Sequence, residues 1–210
     1  MQIFTYFNNF KTTILFIHGY NKSYNDFNIT EHNKEIGIEL NVRKIRNTIL
    51  VSLDKEDYLV PIIDISNKIY EAIQKLANTK IICVCHSYGT FYATSLAIQY
   101  PNLLSCIIML EPTIKTNDFL EYLKTLEQDE HNKYKIEHFG EFPNYLAIPK
   151  TIALNIHLNI DLEQNKINKI IELDHIVKKN VKSKLMVHVN VSHMIHYKIP
   201  HVIIDNIKNI

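Results

Sequence analysis

Lys80-Ile-Ile-Cys-Val-Cys-His-Ser-Tyr-Gly-Thr90 is the stretch on which the reading of this chain turns. Ile81 to Val84 is a short apolar run of the kind that forms a buried strand. It leads into Ser87, which is flanked by small or turn-tolerant residues, and a helical pattern begins at Tyr88. A strand that turns tightly into a helix around a serine lifts that side chain into a cleft, an arrangement known as a nucleophile elbow. The turn is crowded, so the positions two before and two after the serine require small side chains. Here they are Cys85 and Gly89.

The surrounding sequence is organised in the same way. Upstream, Thr12-Thr-Ile-Leu-Phe-Ile-His-Gly-Tyr20 is a second apolar run, ending in His18-Gly19. Downstream, Tyr100-Pro-Asn-Leu-Leu-Ser-Cys-Ile-Ile-Met-Leu-Glu-Pro112 reads as a helix end, a turn and a third buried strand. Near the C-terminus, Val191-Ser-His-Met-Ile-His-Tyr-Lys-Ile-Pro200 sets His193 after a fourth run, with Pro200 seven positions beyond it.

Length and composition narrow the function classes. A chain of 210 residues is most simply one domain around one core. Hydrophobic residues make up 46% and charged residues 21%, ordinary values for a globular protein. The net charge of +1 gives no basic face for nucleic acid. No apolar stretch reaches the roughly 18 residues of a membrane span. Met1 to Phe10 lacks a basic leader and a small-residue cleavage site, so a cytoplasmic protein is expected. Cys83, Cys85 and Cys106 all fall in strand-like runs, and their odd number without a framework argues for buried free thiols.

Short β-branched runs alternate with helical patterns, which implies a parallel sheet covered on both faces. Strands are expected near 2–7, 13–17, 48–53, 80–85, 104–110, 151–157 and 184–190. Helices fit near 31–40, 61–77, 88–100, 164–178 and 200–208. In the second of these, Ile62, Ile65, Ile69 and Ile73 recur at three or four and make one apolar face behind Pro61, a residue suited to a first helical turn. The stretch 115–147 breaks the alternation and reads as an inserted segment with an apolar face of Phe119, Leu120, Leu123 and Leu126.

In motif and order the chain resembles the α/β-hydrolase family of serine hydrolases and esterases, over nearly its whole length. The resemblance implies an α/β-hydrolase fold, a mostly parallel sheet of about seven strands with helices on both faces and a small lid, 115–147, over the active site. It implies Ser87 as nucleophile, His193 as base and an acid between them in sequence, the order this fold uses. His193 precedes Pro200 at the family's spacing, although the usual Gly before this histidine is Ser192 here; His196 is the competing histidine. The family's usual acid position, after the strand at 151–157, is occupied by Asp161, which would otherwise read as a helix N-cap. Some relatives carry the acid after the preceding strand, where this chain has Glu111. The oxyanion hole would be the backbone N–H groups of Tyr88 and Tyr20, and His86 would serve packing or a hydrogen bond. The glycine-rich turn common after the third strand is replaced by Leu53-Asp-Lys-Glu-Asp-Tyr58.

A serine hydroxyl needs a base, an orienting carboxylate and oxyanion donors to attack a carbonyl at neutral pH. All are present, so the expected activity is cleavage of a small carboxylic ester or thioester, with no metal and no organic cofactor. An acyltransferase, peptidase or lipase of the same fold would share the triad. A small-molecule binder without activity is the reading from another class, and the survival of every triad candidate argues against it.

Overall fold

The computed structural model describes residues 1–22, 24–28, 37–76, 80–160, 167–179 and 182–210. Its strands are β1 (Gln2–Tyr6), β2 (Thr12–Ile17), β3 (Asn47–Ser52), β4 (Lys80–His86), β5 (Leu104–Leu110), β6 (Ala153–Ile160) and β7 (Lys184–Val189). They form one sheet in the order β1-β3-β2-β4-β5-β6-β7. Every pairing is parallel except that of the edge strand β1 with β3. All seven expected strands are present.

The side-chain alternation of the strands explains why the sheet needs helices on both sides. Leu15, Ile17, Ile81, Cys83, Cys85, Ile107 and Met109 feed one buried cluster. Ile14, Phe16, Ile82, Val84, Cys106, Ile108 and Leu110 feed the other. The first is covered by α2 (Ile62–Ile73), α3 (Gly89–Gln99) and α6 (Ile167–Lys178). The second is covered by α1 (Ile38–Val42) and α8 (Pro200–Lys208), which also pack on each other. Ile62, Ile65, Ile69 and Ile73 are all buried. At roughly 1.5–3 kcal/mol per side chain, that face is enough to anchor α2. The three cysteines are free and buried.

The helix expected over 88–100 is α3, and the one over 200–208 is α8, with Pro200 in its first turn. Positions 31–36 of the helix expected over 31–40, and 164–166 of that over 164–178, lie outside the described residues. The segment 115–147 contains two helices, α4 (Asn117–Thr125) and α5 (Glu130–Glu137), followed by two single 3₁₀ turns. A further short helix, α7 (Ile195–Lys198), precedes α8. No described helix is long and apolar enough to cross a membrane.

In place of the glycine-rich turn that the resemblance led one to look for after β3, this chain builds a 3₁₀ turn, Lys55–Leu59. Asp54 and Asp57 cap it reciprocally. Its Tyr58 hydroxyl donates to the Gly19 carbonyl at 3.1 Å, which ties the rebuilt loop to the loop after β2.

Candidate active site

Ser87 sits where β4 ends and α3 begins, with φ at 48°. That left-handed conformation is costly for a residue with a Cβ, and it persists because the neighbours impose it. Ser87 N–H donates to Leu110 O at 2.9 Å, and its carbonyl accepts from Thr90 N at 3.1 Å and Thr90 Oγ1 at 2.6 Å. Gly89 permits the turn: a Cβ there would lie 2.5 Å from His18 O and 2.6 Å from Ile17 O. Both are backbone at the end of β2 and cannot move aside. Gly19 lies against the elbow from the other side, where a Cβ would come 3.1 Å from Ser87 Cβ. The loop carrying Tyr20 is thereby held next to the serine.

His193 arrives on the loop after β7. Its Nε2 is 3.1 Å from Ser87 Oγ, and its Nδ1 is 3.3 Å from Glu111 Oε2. Ser192 before it has φ at 95°, which explains why a glycine is common at that position. Glu111 follows β5 and is itself left-handed, with φ at 46°. Its N–H donates to His157 O at 2.8 Å, and its Oε1 accepts from the backbone N–H of Asn159. The Lys169 ammonium lies 3.7 Å from Oε2. Glu111 is only 1% exposed, whereas the His193 side chain is 54% exposed. A fixed buried carboxylate opposite Nδ1 selects the tautomer with the proton on Nδ1, which leaves the Nε2 lone pair facing the serine hydroxyl. Ser87 can then lose its proton to His193 as it attacks an electrophile.

These residues open on a cavity of about 880 Å³. Gly19, Tyr20 and Tyr88 line it beside Ser87. Phe119, Tyr122, Leu123 and Leu126 form its apolar wall; of the apolar face expected on the 115–147 segment, Phe119, Leu123 and Leu126 line the cavity and Leu120 does not, its place being taken by Tyr122. Lys135 from α5 enters the same space.

Directly behind the elbow is a second, closed carboxylate–imidazole group. Asp26 Oδ2 lies 3.2 Å from His196 Nε2 and 3.5 Å from His86 Nδ1, and Tyr197 donates its hydroxyl to Asp26 Oδ1. Burial alone would raise the Asp26 carboxyl, but the two imidazoles, His196 foremost, and Tyr197 hold it well below the usual carboxylate range. Burial pushes His86 down to about 4, with Asp26 pulling partly the other way. The other ring nitrogen of His86 lies 3.2 Å from the His193 carbonyl, so the group also supports the loop that carries His193. Among the described residues it is the grouping whose donor atoms have metal-ligand spacing, all within 4.8 Å of one another.

A family model described as alpha/beta hydrolase fold matches residues 12–141, more than half of the chain. The chain belongs to the alpha/beta hydrolase fold family. Solved members of that fold align over 99% of it. A hydrolase from Oleispira antarctica is 14% identical, with 94% of its own chain covered and a TM-score of 0.68. MenH from S. aureus is 13% identical, with 96% covered and a TM-score of 0.66. The carboxylesterase CesB from Bacillus subtilis is 10% identical, with 86% covered and a TM-score of 0.65. At such identities the likeness is one of fold. No curated protein matches the sequence.

Of the residues singled out from the sequence of this alpha/beta hydrolase fold member, Ser87 and His193 meet, and Tyr20 and Tyr88 border the same cavity. His196 does not face the serine; it is buried against Asp26. Asp161 lies outside the described residues. The carboxylate at His193 Nδ1 is Glu111, the alternative position after β5. Asp26 and Lys135 carried no signal in the sequence, because neither belongs to a motif and their surroundings come from distant segments.

Proposed function

We propose that the protein is a serine hydrolase that cleaves a small carboxylic ester or thioester through an acyl-enzyme on Ser87. The observation that carries this reading is the line Ser87 Oγ–His193 Nε2, His193 Nδ1–Glu111 Oε2, opening on a cavity large enough for a small ligand. The esterases among the solved structures of the same fold support the class.

Ser87 Oγ attacks the carbonyl carbon while His193 Nε2 takes its proton, and the Glu111 carboxylate stabilises the imidazolium. The N–H groups of Tyr88 and Tyr20 receive the oxyanion; the close fit of Gly19 on the elbow supports the second of these. Collapse breaks the acyl–oxygen or acyl–sulfur bond, and the leaving alcohol or thiol takes the proton from His193. Water, deprotonated by the same imidazole, then attacks the acyl-serine and releases the acid. Glu111 is assigned as the acid, with Asp161 as the competing assignment. The segment 115–147 acts as a lid, with α4 contacting the apolar part of the substrate.

The test is labelling by a fluorophosphonate probe together with turnover of p-nitrophenyl esters, with Ser87→Ala alongside. Labelling and turnover should both vanish in the variant. Ester cleavage that survives Ser87→Ala would sink the mechanism, and a folded wild type that neither labels nor turns over would favour a ligand-binding role.

A further inference from the structure

Lys135 is the charged group that the proposed chemistry leaves without a task. It projects from α5 into the cavity and is 3% exposed. Its ammonium lies 3.2 Å from the centre of the Tyr20 ring and 5.4 Å from that of Tyr88. The amine therefore lies against aromatic side chains of the same cavity that Ser87 and His193 line. No carboxylate is within ion-pair distance of it among the described residues. Its one hydrogen bond is a long one, 3.4 Å, to Asn132 Oδ1.

A buried ammonium without a counter-ion is expensive. The aromatic faces offset part of that cost through cation–π attraction, and burial pushes the amine down to about 8. Two of its three donors remain unspent, and they border a space built to receive a ligand. Lys22 and Lys135 line the cavity together with Asp118 and Glu172 from α4 and α6, and Lys169 leans on Glu111. Asp129, the N-cap of α5, acts on Lys135 from outside the cavity and offsets only part of the cost of its burial. An anionic group entering the cavity meets the Lys135 ammonium at the Tyr20 ring.

We propose that Lys135 forms an anion subsite of this cavity, and that the ligand carries a carboxylate in addition to its scissile ester or thioester. This substrate class rests on the hydrolase reading only for turnover; the subsite itself is a binding property. Lys135 is therefore a specificity residue, carried by the lid rather than by the sheet that carries Ser87.

The experiment is a calorimetric titration of monomethyl glutarate and of methyl pentanoate into Ser87→Ala protein, repeated with Ser87→Ala/Lys135→Met. Monomethyl glutarate should bind Ser87→Ala at least about tenfold more tightly than methyl pentanoate, the scale of one charge-assisted hydrogen bond. The gap should close in Lys135→Met and reverse in Lys135→Glu toward methyl 5-aminopentanoate. Thermal melts check that each variant is folded. Equal affinities in the parent, or a gap that survives loss of Lys135, overturn the inference. Turnover of the same esters by the protein with Ser87 intact tests the hydrolase reading separately: a carboxylate preference in binding without turnover keeps the subsite and removes the activity.

Discussion

Two carboxylate–histidine groups stand back to back at the end of β4, and they differ in almost every respect that matters for chemistry. Glu111 and His193 face the cavity, with the imidazole half exposed and its second nitrogen on Ser87. Asp26, His86 and His196 are sealed, each about 1% exposed. The first group has a buried acid and an accessible base, so a proton can pass between His193 and a ligand. The second reaches the cavity only at the edge of His86, and its groups are turned inward on one another, joining segments that are far apart in the chain. A carboxylate beside a histidine is therefore no evidence of catalysis until the exposure of the histidine is known.

Glu111→Gln is the change that should separate the groups most sharply. It preserves size but loses the charge that stabilises the His193 imidazolium, and kcat should fall by about 10⁴-fold with the melting temperature little changed. Steady-state kinetics and a thermal melt read both. If the fall is confined to Asp161→Asn, the acid has been misassigned to the cavity-facing pair.

Asp26→Asn should act in the opposite sense. Neutralising a buried carboxylate that faces two imidazoles and the Tyr197 hydroxyl costs about 1–3 kcal/mol of stability, measured by urea unfolding, with a smaller loss of kcat through the His86–His193 contact. A variant that melted normally and yet lost kcat as deeply as Glu111→Gln would erase the distinction between the two groups.

A histidine–histidine pair, His157 with His188, sharpens the comparison through pH. His157 is fully buried, and burial together with the neighbouring His188 pushes it down to about 3. Its folded value lies below the unfolded value of about 6.5, so between these limits the unfolded chain binds the extra proton. Stability should thus fall as the pH drops below about 6.5, by at most about 1.4 kcal/mol per pH unit for this one group. His86, held down to about 4, adds to the slope over the upper part of that window. His157→Gln should flatten the acid limb of a stability–pH curve by one group's share, and an unchanged limb would mean that His157 already carries its proton in the fold. The smallest effect is expected for Asp161→Asn, less than about threefold in kcat if Glu111 is the acid.

The strands, their order of appearance and the helices that cover the sheet were legible because they rest on local patterns. Period-two runs such as Ile81 to Val84 and the three-and-four spacing of Ile62 to Ile73 are written in consecutive residues. The proximity of Ser87 and His193 was legible for a similar reason, since each has its own local signature, a crowded turn for one and the spacing to Pro200 for the other. The partner of His193 was not. Choosing between Glu111 and Asp161 depends on which strand end reaches across the sheet, and on a left-handed backbone at Glu111 that no neighbouring glycine announces. The lysine in the cavity and the sealed Asp26 group were invisible for a stronger reason. Lys135 reads as one charge on a polar helix, and Asp26 as one acid in a loop. Only folding removes them from water and sets them against Tyr20 in the one case and His196 in the other. Local sequence is enough to specify a strand, a helix or a tight turn, because those are short-range steric and hydrophobic patterns. Desolvation and charge pairing depend on what distant segments bring, so the carboxylate set against His193 Nδ1, the buried amine and the shape of the cavity came from the tertiary structure.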